Sequence, residues 1–279
     1  MRTADRPKKK VVLMADRRAI LDELATESAE LDLLISGLRA ARWETPTPAA
    51  GWTIAHQIAH LAWTDEQVLV SLSDPEAFAA RQRRAASDPH YTDVGAAEGA
   101  RRPPADLLAG WRAGRAAVRD ALLALPDGAK VAWFGPPMSA TSMATARIME
   151  TWAHGQDIAD ALAVVREPTV RLRHVAHIGV RARDFAFTVN GLAPPSEQFR
   201  VELAAPDGSR WTWGPPDAEQ RVTGPALDFC LLVTQRRHRD DCGVVAVGTD
   251  AHQWLGIAQA FAGPPGSGRK AGQFARSES

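Results

Sequence analysis

The sequence predicts a mainly α protein with a smaller α+β region behind it. Three observations carry that prediction. Apolar residues recur at helical spacing through four long segments of the N-terminal part. Those segments are joined by loops and one long crossover, the connectivity of a four-helix bundle. After Pro168 the pattern changes to short alternating runs punctuated by turn residues, which reads as a hairpin with covering helices.

The first helix spans Arg17 to Ala41, with Ile20, Leu21, Leu24, Leu31, Leu34, Ile35 and Leu38 at spacings of mostly three to four. Thr45 to Gly51 holds two prolines and a glycine and is a loop. Thr53 is placed to cap the second helix, which continues through Ile54, Ile58 and Leu61 to about Leu72. Ser73 to Pro104 is the crossover: a charged, proline-punctuated stretch with room for one short helix over Pro75 to Ala86. Its Arg81, Arg83 and Arg84 read as a solvated face rather than an anion clamp. The third helix runs from Asp106 to Leu125 and stops at Pro126-Asp127-Gly128. Ser139 or Thr141 caps the fourth, which passes Glu150 and His154 and ends near Val165.

Beyond it, Val170 to Asn190 is expected as one helix. Phe199 to Leu203 and Trp211 to Trp213 form a hairpin across a Pro206-Asp207-Gly208 turn. A strand at Arg221 to Gly224, a helix from Pro225 to Val233, a strand at Gly243 to Val247 and a helix from Ala251 to Phe261 complete the region. The expected organisation is a bundle over residues 15–167, an α+β domain over 168–263 and a disordered tail over 264–279.

Composition narrows the function. Of 279 residues, 45% are hydrophobic and 24% charged, with 33 basic against 33 acidic, so nothing favours nucleic acid or an acidic membrane as partner. The longest apolar runs, such as Phe229 to Val233, are too short to span a bilayer. The basic segment Met1 to Lys10 is followed only by Val11 to Met14, too short for a signal-peptide core, and Met14 is a second candidate for the native start. A cytoplasmic location is the expectation. Two cysteines, Cys230 and Cys242, cannot make a disulfide framework or a thiolate zinc site. No glycine-rich phosphate loop and no Gly-x-Ser-x-Gly elbow is present.

The chemistry-bearing residues sit on the second and fourth helices. His56 and His60 are one turn apart, as are Glu150 and His154. If those helices face each other, His60, Glu150 and His154 offer two imidazoles and a carboxylate to one ion and leave positions open for chemistry. A His–Glu ion pair without metal would explain the same residues. His56 and Asp157 stand one turn from His60 and His154, and Asp157 is suited to accept the other ring N–H of His154. His90, His238 and His252 lie among turn or charged residues and read as surface.

At these residues the sequence resembles the DinB-like superfamily of metal-binding four-helix bundles, and within it the mycothiol-dependent maleylpyruvate isomerase group. The segments that carry the resemblance are Gly51-Trp52-Thr53 with His60-Leu61, and Glu150 to Ile158. The histidine before leucine maps to His60, and the carboxylate and second histidine map to Glu150 and His154. Trp211 to Gly214 and Val222 to Leu232 are similar to the sterol-carrier-like α+β domain found behind such bundles. The sequence departs from that pattern at Val233 to His238, where an aromatic-Gly-Arg ending is typical. The resemblance covers roughly Ala19 to Phe261.

The resemblance implies a divalent ion, zinc, at His60, Glu150 and His154. It also implies that a small thiol, mycothiol or another, attacks a cis double bond that then isomerises. The protein places no cysteine near the motif, so the thiol would be supplied as a cofactor. A thiol-dependent isomerase or transferase with a small-molecule thiol and substrate as partners is therefore the first reading. A non-catalytic metal carrier or sensor, and a metal-dependent hydrolase, are the alternatives. Monomer and homodimer are equally compatible with the sequence.

Overall fold

The computed structural model describes residues 6–274; residues 1–5 of the basic leading segment and 275–279 of the expected tail lie outside the described residues. The chain divides into two compact units between Val165 and Arg166.

The first unit carries α1 (Arg6–Ser36), α2 (Ile54–Ser73), α3 (Pro75–Ser87), α4 (Tyr91–Ala100), α5 (Pro104–Ala124) and α6 (Ala140–Leu162). The four long helices α1, α2, α5 and α6 are the expected bundle. Helix α1 ends at Ser36 rather than Ala41, because Gly37 follows and the chain re-enters a 3-10 turn at Ala40–Glu44 that buries Trp43. Of the two expected caps for α6, Ser139 serves: its Oγ accepts the Ser142 amide at 3.1 Å. A two-strand hairpin, β1 (Lys130–Val131) with β2 (Met138–Ser139), precedes α6.

The crossover holds two helices, not one. Asp74 Oδ1 caps α3 through the Ala77 amide at 2.9 Å, and Asp88 Oδ1 accepts the His90 amide at 2.9 Å to turn the chain into α4. Helix α4 then lies flush on α2 because two glycines four apart face it. A Cβ at Gly95 would sit 2.6 Å from Trp63 Nε1, and one at Gly99 would sit 2.8 Å from the Ala59 Cβ. Arg81 pairs with exposed Glu66 at 2.9 Å, the solvated role the sequence suggested.

Two apolar layers fill the bundle. One is built around Ile35, Ile54, Ile58, Leu107 and Trp111, the other around Leu21, Val68, Leu122, Met143 and Ile148. On α2 a charged residue, Asp65, separates the two and is 4% exposed; Arg147 of α6, 2% exposed, meets it at 3.0 Å and also donates to the Leu61 carbonyl at 3.3 Å. Burial raises the Asp65 carboxyl above its ordinary value, and the Arg147 charge and hydrogen bond oppose that rise.

The second unit carries α7 (Leu172–Arg181), α8 (Arg183–Val189), β3 (Phe199–Ala204), β4 (Arg210–Trp213), β5 (Gln220–Pro225), α9 (Ala226–Val233), β6 (Val245–Val247) and α10 (Thr249–Ile257). The one helix expected over 170–190 is two, divided at Ala182. The strands order β4-β3-β5-β6. The β3–β4 hairpin pairs Leu203 with Trp211, and β5 returns parallel to β3, setting Val222 beside Val201. Phe199, Val201 and Leu203 alternate inward, and α9, largely buried, covers them, with its Phe229 in ring contact with Trp254 of α10 at 5.9 Å. Helix α10 stops at Ile257, short of Phe261, because the Ala260 amide bonds instead to the Val233 carbonyl at 2.7 Å. Residues 271–274 form a turn, with the Gly272 amide on the Asp241 carboxylate at 2.9 and 3.1 Å. Among the described residues no helix is long and apolar enough to cross a membrane.

Two outcomes follow from this packing. Gly99→Ala, which at an open helix position would gain up to about 1 kcal/mol, should instead lower the Tm, because overpacking costs about 1–3 kcal/mol. Thermal melting decides the sign. Arg147→Met should cost about 3–5 kcal/mol in denaturant unfolding by stranding Asp65, whereas the double change Asp65→Leu with Arg147→Met should recover most of that loss.

Candidate metal centre

Helices α2 and α6 bring His60, Glu150 and His154 together. One ligand atom from each lies within 4.8 Å of the other two, and among the described residues this is the one such group of metal-ligand types. Glu150 Oε2 is 3.3 Å from His60 Nε2 and 3.2 Å from His154 Nε2. The imidazole centroids are 4.5 Å apart. The two histidine side chains are nearly buried, at 9% and 12% exposure, while Glu150 is open at 22%. Burial alone would raise the Glu150 carboxyl; hydrogen bonds from His154 and His60 and their charge outweigh it and hold the group well below the usual carboxylate range.

A chain of hydrogen bonds sets the orientation of His154. The Thr47 hydroxyl lies 2.9 Å from the Trp52 carbonyl, Gln57 Nε2 lies 2.9 Å from Thr47 Oγ1, and Gln57 Oε1 lies 2.5 Å from His154 Nδ1. A carbonyl only accepts, so the threonine hydroxyl donates to it and the glutamine amide donates to the threonine. Gln57 Oε1 is then an acceptor, and His154 Nδ1 carries the proton. His154 Nε2 therefore faces the Glu150 carboxylate, as a donor when the ring is an imidazolium and as a lone pair when it is neutral. Two acceptors at 3.2 Å repel unless a cation or a proton lies with them. His60 Nδ1 is buried without a hydrogen-bond partner, which leaves that ring free to present either tautomer. Two imidazoles and a carboxylate form a donor set that zinc and similar divalent ions accept. The residues present fit such an ion.

The surrounding rings close the centre off. Trp52 lies 5.4 Å from His60 and 5.9 Å from His154, the latter nearly parallel at 16°. Trp63 stacks on the other side of His60 at 6.3 Å and continues into Phe134 and Tyr91.

The other candidates fall elsewhere. His56 works at the start of α2: its Nδ1 meets the Thr53 hydroxyl at 2.8 Å and the Thr53 amide at 3.3 Å, and burial lowers its pKa. Asp157 is fully buried on α6, and Gln57 Oε1 of the facing helix lies 2.5 Å from His154 Nδ1. Gln57 escaped the sequence reading. Its signal was its place one turn before His60, on the same face of α2.

Comparison with known proteins bears on the fold and on kinship. Residues 24–159 match the family model of the mycothiol maleylpyruvate isomerase N-terminal domain, and residues 195–247 match a family model named for wyosine base formation. Uncharacterized proteins of two Mycobacterium tuberculosis strains, CDC 1551 and H37Rv, are each 58% identical over 257 residues, covering 92% of this chain and 100% of theirs. The crystal structure of the mycothiol-dependent maleylpyruvate isomerase superposes with a TM-score of 0.56 at 19% identity, covering 84% of this chain and 92% of that one. A histidine-to-alanine mutant of that enzyme gives 0.54 at 18% identity over the same shares. At such identities the solved structures speak for the fold, and the mycobacterial relatives for kinship. The chain belongs to one family with those uncharacterized mycobacterial proteins, and over residues 24–159 it belongs with the maleylpyruvate isomerase-like group.

Proposed function

We propose that His60, Glu150 and His154 bind a divalent metal, zinc in the first instance, and that the protein uses it with a small thiol of the mycothiol type. The reaction is isomerisation or transfer on a small organic substrate. The observation that carries this reading is the convergence of His60, Glu150 and His154, one ligand atom of each lying within 4.8 Å of the other two. Gln57 Oε1, 2.5 Å from His154 Nδ1, turns Nε2 of that ring toward Glu150. A divalent ion bound there supplies Lewis acidity, lowering the pKa of a thiol or water and polarising a carbonyl.

The chain's own residues do the rest. Gln57 holds the imidazole in its ligand tautomer, and Thr47 holds Gln57. Trp52 and Trp63 keep the imidazoles dry on two sides and leave Glu150 on the open side. Neither cysteine supplies the thiol. Burial pushes Cys230 up beyond any useful range, and burial with neighbouring carboxylates pushes Cys242 up to about 12, so neither is a thiolate near neutral pH. A thiol nucleophile must come from outside, and the solved relative described as mycothiol-dependent supports that class.

Two measurements test the reading. Metal analysis of purified protein should show one equivalent of divalent ion, lost in His154→Ala and weakened about 10–100-fold in Gln57→Leu. Equal metal content in wild type and His154→Ala, with both folded by circular dichroism, would sink the site. The cobalt-substituted protein titrated with mycothiol should develop a thiolate-to-metal absorption band. If the metal is bound and no band appears, the thiol-dependent reading fails in favour of water activation or metal carriage.

A further inference from the structure

The first turn of α2 is closed by a side chain that titrates. The segment Thr53-Ile54-Ala55-His56 has the spacing of a capping box, whose last position is ordinarily a glutamate or glutamine reaching back to the amide of the first residue. Here an imidazole fills that position. The Thr53 amide lies 3.3 Å from His56 Nδ1, and the Thr53 hydroxyl lies 2.8 Å from the same atom. A backbone amide can only donate, so Nδ1 is the acceptor and the ring is neutral, with its proton on Nε2.

Protonation would undo this arrangement in two ways. A proton on Nδ1 would face the Thr53 amide donor to donor. It would also set a positive charge in the first turn of a 20-residue helix, the end where the macrodipole disfavours cations. No carboxylate holds that charge in place: among the described residues the hydrogen-bond partner of the ring is Thr53. Gly95 against Trp63 and Gly99 against Ala59 run α4 toward this end of α2, where exposed Arg101 and Arg102 follow it. The other charged groups on the elements packed here are exposed Arg42 and Glu44 of the 3-10 turn, exposed Asp106 at the start of α5, and Glu150, His154 and Asp157 of α6. None of them moves the pKa of His56, which burial alone lowers.

The turn is tied to the metal centre. Gln57, next in the chain, has its amide 3.1 Å from the Thr53 carbonyl and its Oε1 2.5 Å from His154 Nδ1. Trp52, on the other side of Thr53, lies against His60 and His154. Thr53 itself is bridged to Pro46, beside the Thr47 hydroxyl that holds Gln57. A change that loosens Thr53 therefore reaches the relay and the tryptophan together.

We propose that His56 is a proton-sensitive latch: neutral, it holds the first turn of α2 closed and Gln57 in the centre; protonated, it releases the Thr53 amide and weakens the hold of the centre on an ion. The effect on the ion rests on the metal-binding reading; the latch itself does not. Because the folded chain favours the neutral ring, the unfolded chain binds this proton more readily. The stability contributed by the latch is complete above the ordinary histidine value of about 6.5 and is lost as pH falls from there through the lower value of the folded ring.

The experiment uses the full-length protein, stripped of metal with a chelator. His56→Gln keeps an acceptor at the last position of the capping box and removes the titration. Its Tm should match wild type at about pH 8 and exceed it by about 2 °C or more at about pH 5.5, since the remaining histidines contribute equally to both proteins. At about pH 5.5 the Gln57 amide should exchange with deuterium at least about 3-fold faster in wild type than in His56→Gln. Nitrogen NMR of the wild type needs no variant, and should find His56 Nδ1 without a proton at about pH 8. Reloaded with zinc, the two proteins should hold the ion equally at about pH 8, and the variant should hold it at least about 3-fold more tightly at about pH 5.5. Parallel pH profiles for the two proteins, or a proton on wild-type Nδ1 at about pH 8, would overturn the latch. Failure to take up zinc at any pH would overturn the metal-binding reading instead, and the melts and exchange, which need no ion, would still decide the latch.

Discussion

The hydrogen bond between Gln57 and His154 is the constraint on which the centre depends. An imidazole has two nitrogens, and only one can be a ligand while the other holds a proton. The half-buried relay from the Trp52 carbonyl through Thr47 and Gln57 turns Nε2 of His154 toward Glu150. It does so from the loop before α2 and from α2 itself, so the orientation of a residue on α6 is decided by its neighbour helix. Gln57 and the candidate ligand His60 lie on one face of α2, so the register between the two helices sets the geometry of the site.

That register has its own support. Asp65 and Arg147, one turn beyond His60 and one turn before Glu150, form a buried ion pair between the same two helices. A buried pair adds little net stability over an apolar equivalent but strongly disfavours arrangements that separate its members. It sits between two apolar layers that would tolerate sliding far better than a charge pair does. Helix α4, held close to α2 by Gly95 and Gly99, sets Trp63 against His60 and completes the aromatic surround.

The second unit is organised on a different principle. Its sheet is covered by the buried helix α9, and at the end of that helix the chain turns through a left-handed Gln235 into three consecutive half-buried basic residues and His238's neighbour Arg239. The departure from the family pattern at Val233 to His238 thus falls where the chain leaves α9.

The sequence by itself determined the bundle, the α+β region and the candidate ligands, because each rests on local periodicity. Helical spacing put His60, Glu150 and His154 on predictable faces, and alternation marked the β3–β4 hairpin. Where chain-local signals ended, the reading failed in identifiable ways. The second crossover helix, α4, is held by glycines whose value lies in what they touch on α2, and no pattern within residues 91–100 reveals it. Residues 170–190 divide at Ala182, and α10 gives up its last turn to a bond with Val233, a contact that only packing creates. Gln57 and Thr47 are ordinary polar residues until α6 lies against α2. The tertiary structure alone decided which nitrogen of His154 faces the carboxylate, since a hydrogen bond between residues 97 positions apart has no signature in either local segment.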